Sequence, residues 1–129
     1  MRYLLDTHAL IWFLTDDPQL PSKVKASIES RQSSCWVSIA SYWEIGIKYS
    51  LGKIKLGTQL ETVFRLIGES GFAGLPITPG HILQQTQLPF HHRDPFDRLI
   101  IAQAIDEQLT ILTRDAQFKN YPSHCWWGE

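Results

Sequence analysis

Residues 94–113 read DPFDRLIIAQAIDEQLTILT, and this stretch combines the strongest predicted helix of the chain with a strand. Asp94 and Pro95 are typical of a helix start, because Asp caps free backbone N–H groups and Pro has no N–H to satisfy. The helix is predicted to continue through Ile105, and the apolar residues 109–113 predict a buried strand. A strand that follows a helix this closely is typical of parallel α/β proteins.

The same alternation of strands and helices extends over the rest of the chain. We therefore predict an α/β fold, a three-layer α/β/α domain with a mostly parallel central sheet of about five strands. No repeat, linker or low-complexity tract divides the chain, so residues 1–129 are predicted to form a single domain. The predicted strands are 3–5, 34–38, 72–77, 109–113 and 124–127, and the predicted helices are 9–14, 22–31, 39–51, 58–69, 79–87 and 94–105.

The composition excludes several classes of protein. Of the 129 residues 43% are hydrophobic, which excludes an intrinsically disordered chain. The 12 Lys and Arg residues against 13 Asp and Glu leave a net charge of −1, so the chain lacks the basic excess of a strong nucleic-acid binder. Two cysteines are too few for a disulfide framework. Asp6 interrupts the apolar start of the chain and no segment is apolar enough to span a membrane, so a cytoplasmic location is expected.

Acidic residues are predicted to meet at one edge of the sheet. Asp6 follows the first predicted strand, and Asp115 lies just beyond the fourth. Because ligand sites of parallel sheets form at the carboxyl ends of the strands, we expect these two side chains to share a cleft. Glu44, Asp94 and Asp97 lie early in helices that can line the same cleft.

A divalent cation is the cofactor that this set of acids predicts. Converging carboxylates raise one another's pKa, and a bound cation relieves the repulsion. Oxygen ligands without a neighbouring cluster of Cys and His favour Mg²⁺ or Mn²⁺ over zinc. One or two such ions are expected, and they suit the hydrolysis of a phosphodiester.

Each acid also has a purely structural interpretation, in which the chain is a non-catalytic interaction module. Asp94 and Asp97 fit the N-cap and N3 positions of a helix, where the helix dipole favours acids. Ser41 and Glu44 have the spacing of a capping box, and the other two acids can cap a helix and a turn. A phosphatase of the dehalogenase type also uses an Asp after its first strand, but it needs a second Asp where this chain has His8.

Four segments together resemble the PIN-domain family, and most closely the VapC-type toxins of bacterial toxin–antitoxin pairs. The resemblance covers nearly the whole chain, and Asp-Pro-Phe-Asp-Arg is its most specific part. It implies that Asp6, Glu44, Asp97 and Asp115 are the catalytic and metal-binding acids, and that Asp94 is an added acid of the Asp-Pro-Phe-Asp-Arg subgroup. The segments are Leu4-Leu5-Asp6-Thr7-His8, Ser38-x-x-Ser41-x-Trp43-Glu44-Ile45, residues 92–104 (HRDPFDRLIIAQA) and Leu112-Thr113-Arg114-Asp115.

The resemblance also implies a function. Members of the family are ribonucleases that depend on Mg²⁺ or Mn²⁺, and a small cognate antitoxin holds the toxin members inactive. By resemblance the chain is therefore expected to be an endoribonuclease with RNA as substrate and a cognate antitoxin as partner. Aromatic residues that prove exposed would suit a second copy of the chain or the antitoxin, and a homodimer is expected. A PIN-like nuclease outside any toxin–antitoxin pair is the alternative.

Several further side chains are candidates for supporting roles. Thr7 and Ser38 lie at strand ends, where a hydroxyl group either hydrogen-bonds a metal ligand or caps a helix. Arg98 follows Asp97 and Arg114 precedes Asp115 in the sequence. The two arginines are expected either to bind substrate phosphate or to orient the carboxylates. A weak RNA-binding patch, or else a solvated surface, is formed by Lys48, Lys53, Lys55 and Arg65.

Three histidines lie near the acids in sequence, and their roles stay open. A zinc site is disfavoured, because His91 and His92 are consecutive and no Cys lies close to either of them. His8, His91 and His92 are able to act in acid–base chemistry, but we predict exposed loop positions for them.

Overall fold

A computed structural model describes every residue from Met1 to Glu129. It contains five strands and six α-helices in the alternating order that the sequence predicts. The strands are β1 (Arg2–Leu5), β2 (Ser34–Ser38), β3 (Ala73–Leu75), β4 (Thr110–Leu112) and β5 (His124–Trp126). The helices are α1 (Thr7–Leu14), α2 (Ser22–Glu29), α3 (Ile39–Ser50), α4 (Leu60–Glu69), α5 (Pro79–Thr86) and α6 (Pro95–Glu107).

All neighbouring strands of the sheet are parallel, in the order β3-β2-β1-β4-β5. The predicted sheet is therefore confirmed. The chain places β2 and β3 on one side of β1 and then crosses to place β4 and β5 on the other side. Leu5 lies opposite both Val37 and Leu112, so the carboxyl ends of the three central strands are level. The order reverses between β1 and β4, which is where parallel sheets bind ligands.

Two hydrophobic cores cover the two faces of the sheet, which confirms the three-layer architecture. Side chains of a strand alternate between the faces, so Tyr3 and Leu5 enter one core and Leu4 enters the other. The first core includes side chains of α1, α2 and α4, and the second includes side chains of α6, against which α5 packs. Helix α3 contributes Ile45 to the first core and Ala40 to the second. It therefore passes beside the carboxyl edge of the sheet in contact with both layers.

The helix ends follow from their local sequence. Asp94 caps α6, Pro95 occupies its first turn, and Gln108 ends it with a left-handed backbone at φ 57°. The longest helix has 13 residues, and no helix has the length and apolar character needed to cross a membrane. One element is unpredicted, a 3₁₀ helix at Ala116–Asn120 between β4 and β5. Five residues with one buried side chain, Phe118, are too few to show a periodic pattern in the sequence.

Candidate metal centre

Asp6 lies at the carboxyl end of the central strand β1. Its backbone N–H donates to the carbonyl of Leu112 at 3.1 Å, and its Oδ1 accepts the N–H of Ala9 at 2.8 Å, so it also caps α1. The side chain is buried. Burial raises the pKa of Asp6 to about 6, although hydrogen bonds from the Thr113 side chain and the Ala9 N–H lower it and the Asp115 charge raises it further.

Glu44 reaches the same region from the second turn of α3, and it is buried as well. Its Oε1 accepts a hydrogen bond from the Thr7 hydroxyl at 2.6 Å, and the Thr7 and Ser41 hydroxyls lie 2.9 Å apart. Its Oε2 accepts from the ammonium of Lys48 at 2.6 Å. Burial alone lowers the pKa of Lys48, but the hydrogen bond and charge of Glu44 and the charges of two further acids outweigh it and raise that pKa.

Asp94 and Asp97 lie at the start of α6 and differ in what their side chains do. Asp94 uses Oδ1 to accept the N–H groups of Phe96 at 2.9 Å and of Asp97 at 3.0 Å, as a helix cap does. The Asp97 side chain caps nothing and is largely buried. Burial raises the pKa of Asp97 to about 8, and the negative charges around it add to the effect. Those charges belong to Asp94, Glu44, Asp6 and Asp115.

Asp115 completes the cluster from beyond β4, and His92 joins it to Asp97. Oδ1 of Asp115 accepts the N–H of Gln117 at 2.9 Å and so caps the 3₁₀ helix. Its Oδ2 lies 3.1 Å from Nε2 of His92, and Oδ2 of Asp97 lies 3.0 Å from the same nitrogen. One ligand atom from each of these three residues fits within 4.8 Å of the others.

The prediction of exposed loop positions is therefore wrong for His92, which lies in a loop but is mostly buried, and it is confirmed for His91. His8 is exposed as predicted, but it lies in α1 rather than in a loop. The His92 side chain is only 12% exposed. The sequence signal was its position two residues before the cap of α6, at the edge of the sheet where the acids meet.

Helix capping explains only some of the acids. Asp6, Asp94 and Asp115 each cap a helix, as the structural interpretation predicts. The predicted capping box at Ser41 and Glu44 is wrong, because α3 begins earlier and Ser38 is its cap. Asp97 occupies the third position of α6, as predicted, but its carboxylate accepts no backbone N–H of that helix. Glu44 is buried and Asp97 is partly buried, and both lie among other carboxylates.

Two of the predicted supporting residues lie away from the acidic side chains. The Ser38 hydroxyl accepts the N–H of Ala40 and donates to Oε1 of Gln103, so it serves the helix cap. Arg98 is buried, and its guanidinium donates to the backbone carbonyls of four residues, at 2.9–3.3 Å. Those residues are Gln85, Leu88, Pro89 and His92. The structure therefore contradicts both predicted roles of Arg98: its guanidinium is buried and bonded to backbone carbonyls, so it contacts no carboxylate and is not open to a phosphate.

Arg114 lies at the rim of the cluster, as the sequence predicts. Its guanidinium lies 4.6 Å from the ring centre of Trp12 and donates to the Gln19 side chain at 3.1 Å. An open cleft of about 280 Å³ is lined by Asp6, His8, Trp12, Arg114 and Asp115. The exposed cation therefore faces the space next to two of the acids.

The predicted basic patch divides into residues with different environments. Lys48 is bound to Glu44 within the acidic cluster, and Arg65 lies 3.7 Å from Glu69 on the surface of α4. Lys53 and Lys55 are exposed in the loop after α3 and form no ion pair. Within the predicted patch, only these two residues have charged groups that no acid engages.

The cluster has the donor chemistry of a site for a hard divalent cation. The structure brings carboxylate oxygens of Asp97 and Asp115 within 4.8 Å of each other and of a ring nitrogen of His92, and no cysteine belongs to this group. Asp6 and Glu44 lie near enough for their charges to act on Asp97. Burial is the main reason why the pKa values of Asp6 and Asp97 are raised, and neighbouring negative charges add to it; a bound cation would favour the ionised form of both acids. The donor set therefore fits Mg²⁺ or Mn²⁺.

Comparison with known proteins gives one family and several similar structures. A family model described as PIN domain matches residues 3–123. VapBC2 from Rickettsia felis, solved bound to a DNA fragment from its promoter, is 19% identical with a TM-score of 0.74, and the match covers 98% of each chain. VapBC-1 from nontypeable Haemophilus influenzae is 15% identical with a TM-score of 0.71 over 100% of each chain. A toxin–antitoxin complex from Klebsiella pneumoniae is 19% identical with a TM-score of 0.64, covering 93% of this chain and 92% of the other. None of the curated proteins matches the sequence.

Proposed function

The chain belongs to the PIN-domain family, and from this premise we propose that it is a metal-dependent endoribonuclease and the toxin of a toxin–antitoxin pair. The observation that carries the proposal is the environment of Asp97. Its carboxyl group is buried among four other carboxylates, and its pKa is raised to about 8. Placing so many carboxylates together costs free energy of folding, and Asp97 gives no helix cap in return. A cation site, by contrast, requires several carboxylates close together.

The cofactor we propose is Mg²⁺ or Mn²⁺, as one or two ions held by Asp6, Glu44, Asp97 and Asp115. When bound, such ions would polarise the phosphodiester, lower the pKa of a bound water and stabilise the leaving oxygen. Asp94 adds negative charge to the site, but its Oδ1 is engaged by the start of α6. Capping alone does not separate Asp94 from the ligands, because Asp6 and Asp115 also cap helices with Oδ1. We propose Asp94 as an added acid that acts on the site through its charge on Asp97.

The other polar side chains of the site hold the acids or face the substrate. Thr7 donates to Glu44, and Ser41 contacts Thr7, so these two hydroxyl groups set the direction in which the Glu44 carboxylate points. Arg114 faces the open cleft and is placed to pair with a phosphate of the RNA strand. Lys53 and Lys55 are proposed as weaker contacts to more distant phosphates, since no acid engages them.

The similar structures support the proposed partners. The Klebsiella pneumoniae structure is a toxin–antitoxin complex, and its fold matches nearly all of this chain. A cognate antitoxin is therefore the proposed protein partner. The homodimer is proposed from exposed apolar side chains beside the site, in particular Trp43, which is 60% exposed and packs edge-to-face on Phe96 at 5.2 Å. A cytoplasmic site of action stays a prediction.

The nuclease activity is tested with the purified chain and RNA. We expect Mg²⁺ or Mn²⁺ to support cleavage of single-stranded or structured RNA, and a chelator to stop it. Asp97→Asn is expected to abolish cleavage, while Asp106→Asn, at the exposed end of the same helix, leaves it unchanged. Cleavage by the Asp97→Asn variant at the rate of the unaltered chain would contradict the assignment.

The toxin role needs a separate experiment in cells. Expression of the unaltered chain is expected to arrest growth, and expression of Asp97→Asn to the same level is expected to permit it. Cleavage of RNA in vitro without growth arrest would favour the alternative, a PIN nuclease outside a toxin–antitoxin pair. If the chain neither cleaves RNA nor binds Mn²⁺ tightly, the results would favour the interaction module.

A further inference from the structure

The hydrogen-bond partners of His92 assign the proton of its neutral ring to Nε2. Its Nδ1 accepts the backbone N–H of Asp94 at 3.2 Å, and a nitrogen that accepts a hydrogen bond carries no proton. In the neutral ring Nε2 is therefore the donor, and it donates to Oδ2 of Asp115 at 3.1 Å. A nitrogen that carries a proton has no lone pair for a cation, so this ring is set to hold carboxylates rather than to bind a metal.

The backbone on both sides of His92 is anchored, which fixes the ring in place. The His92 N–H donates to the Tyr121 hydroxyl at 2.7 Å, and that hydroxyl donates to the carbonyl of Pro89 at 2.8 Å. The His92 carbonyl accepts from the buried guanidinium of Arg98 at 3.3 Å. The ring itself packs edge-on against Phe118, with centroids 5.7 Å apart. The four carbonyl contacts of Arg98 thus have a consequence at the site, because they hold the loop that carries His92.

The two carboxylates that His92 touches come from separate elements. Asp97 belongs to the first turn of α6, and Asp115 follows β4, so no shared helix or strand sets the distance between them. Both are negatively charged when ionised and repel each other. The imidazole lies between their Oδ2 atoms, at 3.0 Å from Asp97 and 3.1 Å from Asp115.

We infer that His92 is a positioning residue of the acidic cluster, whose Nε2–H holds the Asp115 carboxylate at the spacing from Asp97 that a divalent cation requires. The inference rests on the proposed function, because it concerns the same metal centre. It assigns His92 no direct bond to the metal and no bond to the substrate. Its consequence is that Mn²⁺ affinity depends on a donor at the position of Nε2.

Two substitutions test whether His92 acts as a hydrogen-bond donor to Asp115 or as a ligand of the metal. His92→Gln places an amide N–H at about the reach of Nε2, whereas the shorter His92→Asn leaves that position empty. His91→Asn is the matched control, because the neighbouring His91 is exposed and its ring only packs against Tyr121, at 5.3 Å. Urea unfolding of each variant establishes that the chain is folded before metal binding is measured.

The first measurement is calorimetric titration of the full chain with Mn²⁺ alone, without RNA. His92→Asn is expected to weaken Mn²⁺ binding by about 10- to 100-fold, the usual effect of losing a residue that orients a metal ligand. His92→Gln is expected to stay within about threefold of the unaltered chain, and His91→Asn to match it. Unchanged binding by His92→Asn, or binding by His92→Gln as weak as that of His92→Asn, would overturn the inference.

The second measurement is independent of the variants. Nitrogen NMR of the labelled imidazole, recorded without metal and with Mg²⁺, is expected to show a protonated Nε2 and an unprotonated Nδ1 in both conditions. A proton on Nδ1, or loss of the Nε2 proton when Mg²⁺ binds, would overturn the inference. Failure of the unaltered chain to bind Mn²⁺ would overturn the proposed function and this inference together. If the unaltered chain binds Mn²⁺ and the His92 variants bind it equally well, the inference alone is overturned.

Discussion

Replacing Asp97 with Asn is expected to stabilise the metal-free fold at neutral and alkaline pH. Aspartate is costly at this position because its side chain is buried and lies among the negative charges of Asp94, Glu44, Asp6 and Asp115. The amide of Asn has nearly the same shape and carries no charge. The substitution therefore removes the repulsion while leaving the packing of α6 unchanged.

The pKa of Asp97 sets the size of the gain. Folding raises it from the ordinary 3.8 to about 8, and at 1.36 kcal/mol per pH unit this difference corresponds to ~6 kcal/mol above pH 8. That figure is a ceiling, because the side chain is 22% exposed and its neighbours can relax in solution. We expect a gain of about 2–4 kcal/mol in the free energy of unfolding, a large part of the stability of an ordinary domain.

The sign of the pH dependence follows from proton binding. Between pH 3.8 and about 8 the folded chain holds a proton on Asp97 that the unfolded chain has released. Stability of the unaltered chain therefore falls as pH rises through this window, and the cost of Asp97 disappears below it. Asp6 acts in the same direction between 3.8 and about 6. The comparison with Asp97→Asn subtracts the effect of burying Asp6, which is present in both chains, and leaves the contribution of Asp97 together with its repulsion from neighbouring acids.

The assay is urea unfolding in the presence of a chelator across about pH 4 to 9. The difference between Asp97→Asn and the unaltered chain is expected to be near zero at the acidic end and to grow up to about pH 8. Asp106→Asn, in an exposed position of the same helix, controls for a general effect of removing one negative charge. A gain that is absent at alkaline pH, or equal at all pH values, would refute the reasoning.

Three further substitutions test the contacts around the site. Arg98→Lys keeps the charge but loses the planar guanidinium that donates to four carbonyls. We expect the free energy of unfolding, measured in urea, to fall by about 2–4 kcal/mol. A loss under about 0.5 kcal/mol would contradict the anchoring role of Arg98. Thr7→Val leaves Oε1 of Glu44 without its donor and is expected to cost about 1–3 kcal/mol in the same assay, whereas Thr15→Val, at an exposed hydroxyl, changes it little. Lys48→Gln removes an ammonium group that competes with the metal for Glu44. Calorimetry is therefore expected to show Mn²⁺ binding up to about fivefold tighter, which is ~1 kcal/mol. Weaker Mn²⁺ binding would contradict this competition.

Local sequence patterns predicted the secondary structure well because they depend on neighbouring residues. Asp94 and Pro95 mark the start of α6 in the sequence and occupy its cap and first turn in the fold. The order of strands and helices predicted a parallel sheet, and the expected meeting of acids at its carboxyl edge followed from that topology. The start of α3 at Ile39 was predicted correctly, but the capping box at Ser41 and Glu44 was wrong, because Ser38, three residues before Ser41, has the same capping chemistry and caps the helix.

By itself the sequence determined the α/β class, the order of the elements and the acids available for a metal, since all three depend on residue type and on spacing along the chain. Only the tertiary structure decided which side chains face one another. Arg98 lies next to Asp97 in sequence, yet its guanidinium turns to carbonyls of the loop before α6. His92 and Asp115 lie 23 positions apart, yet they share a hydrogen bond. The pKa of Asp97 has the same origin, because burial and distant charges arise only when the separate elements pack together.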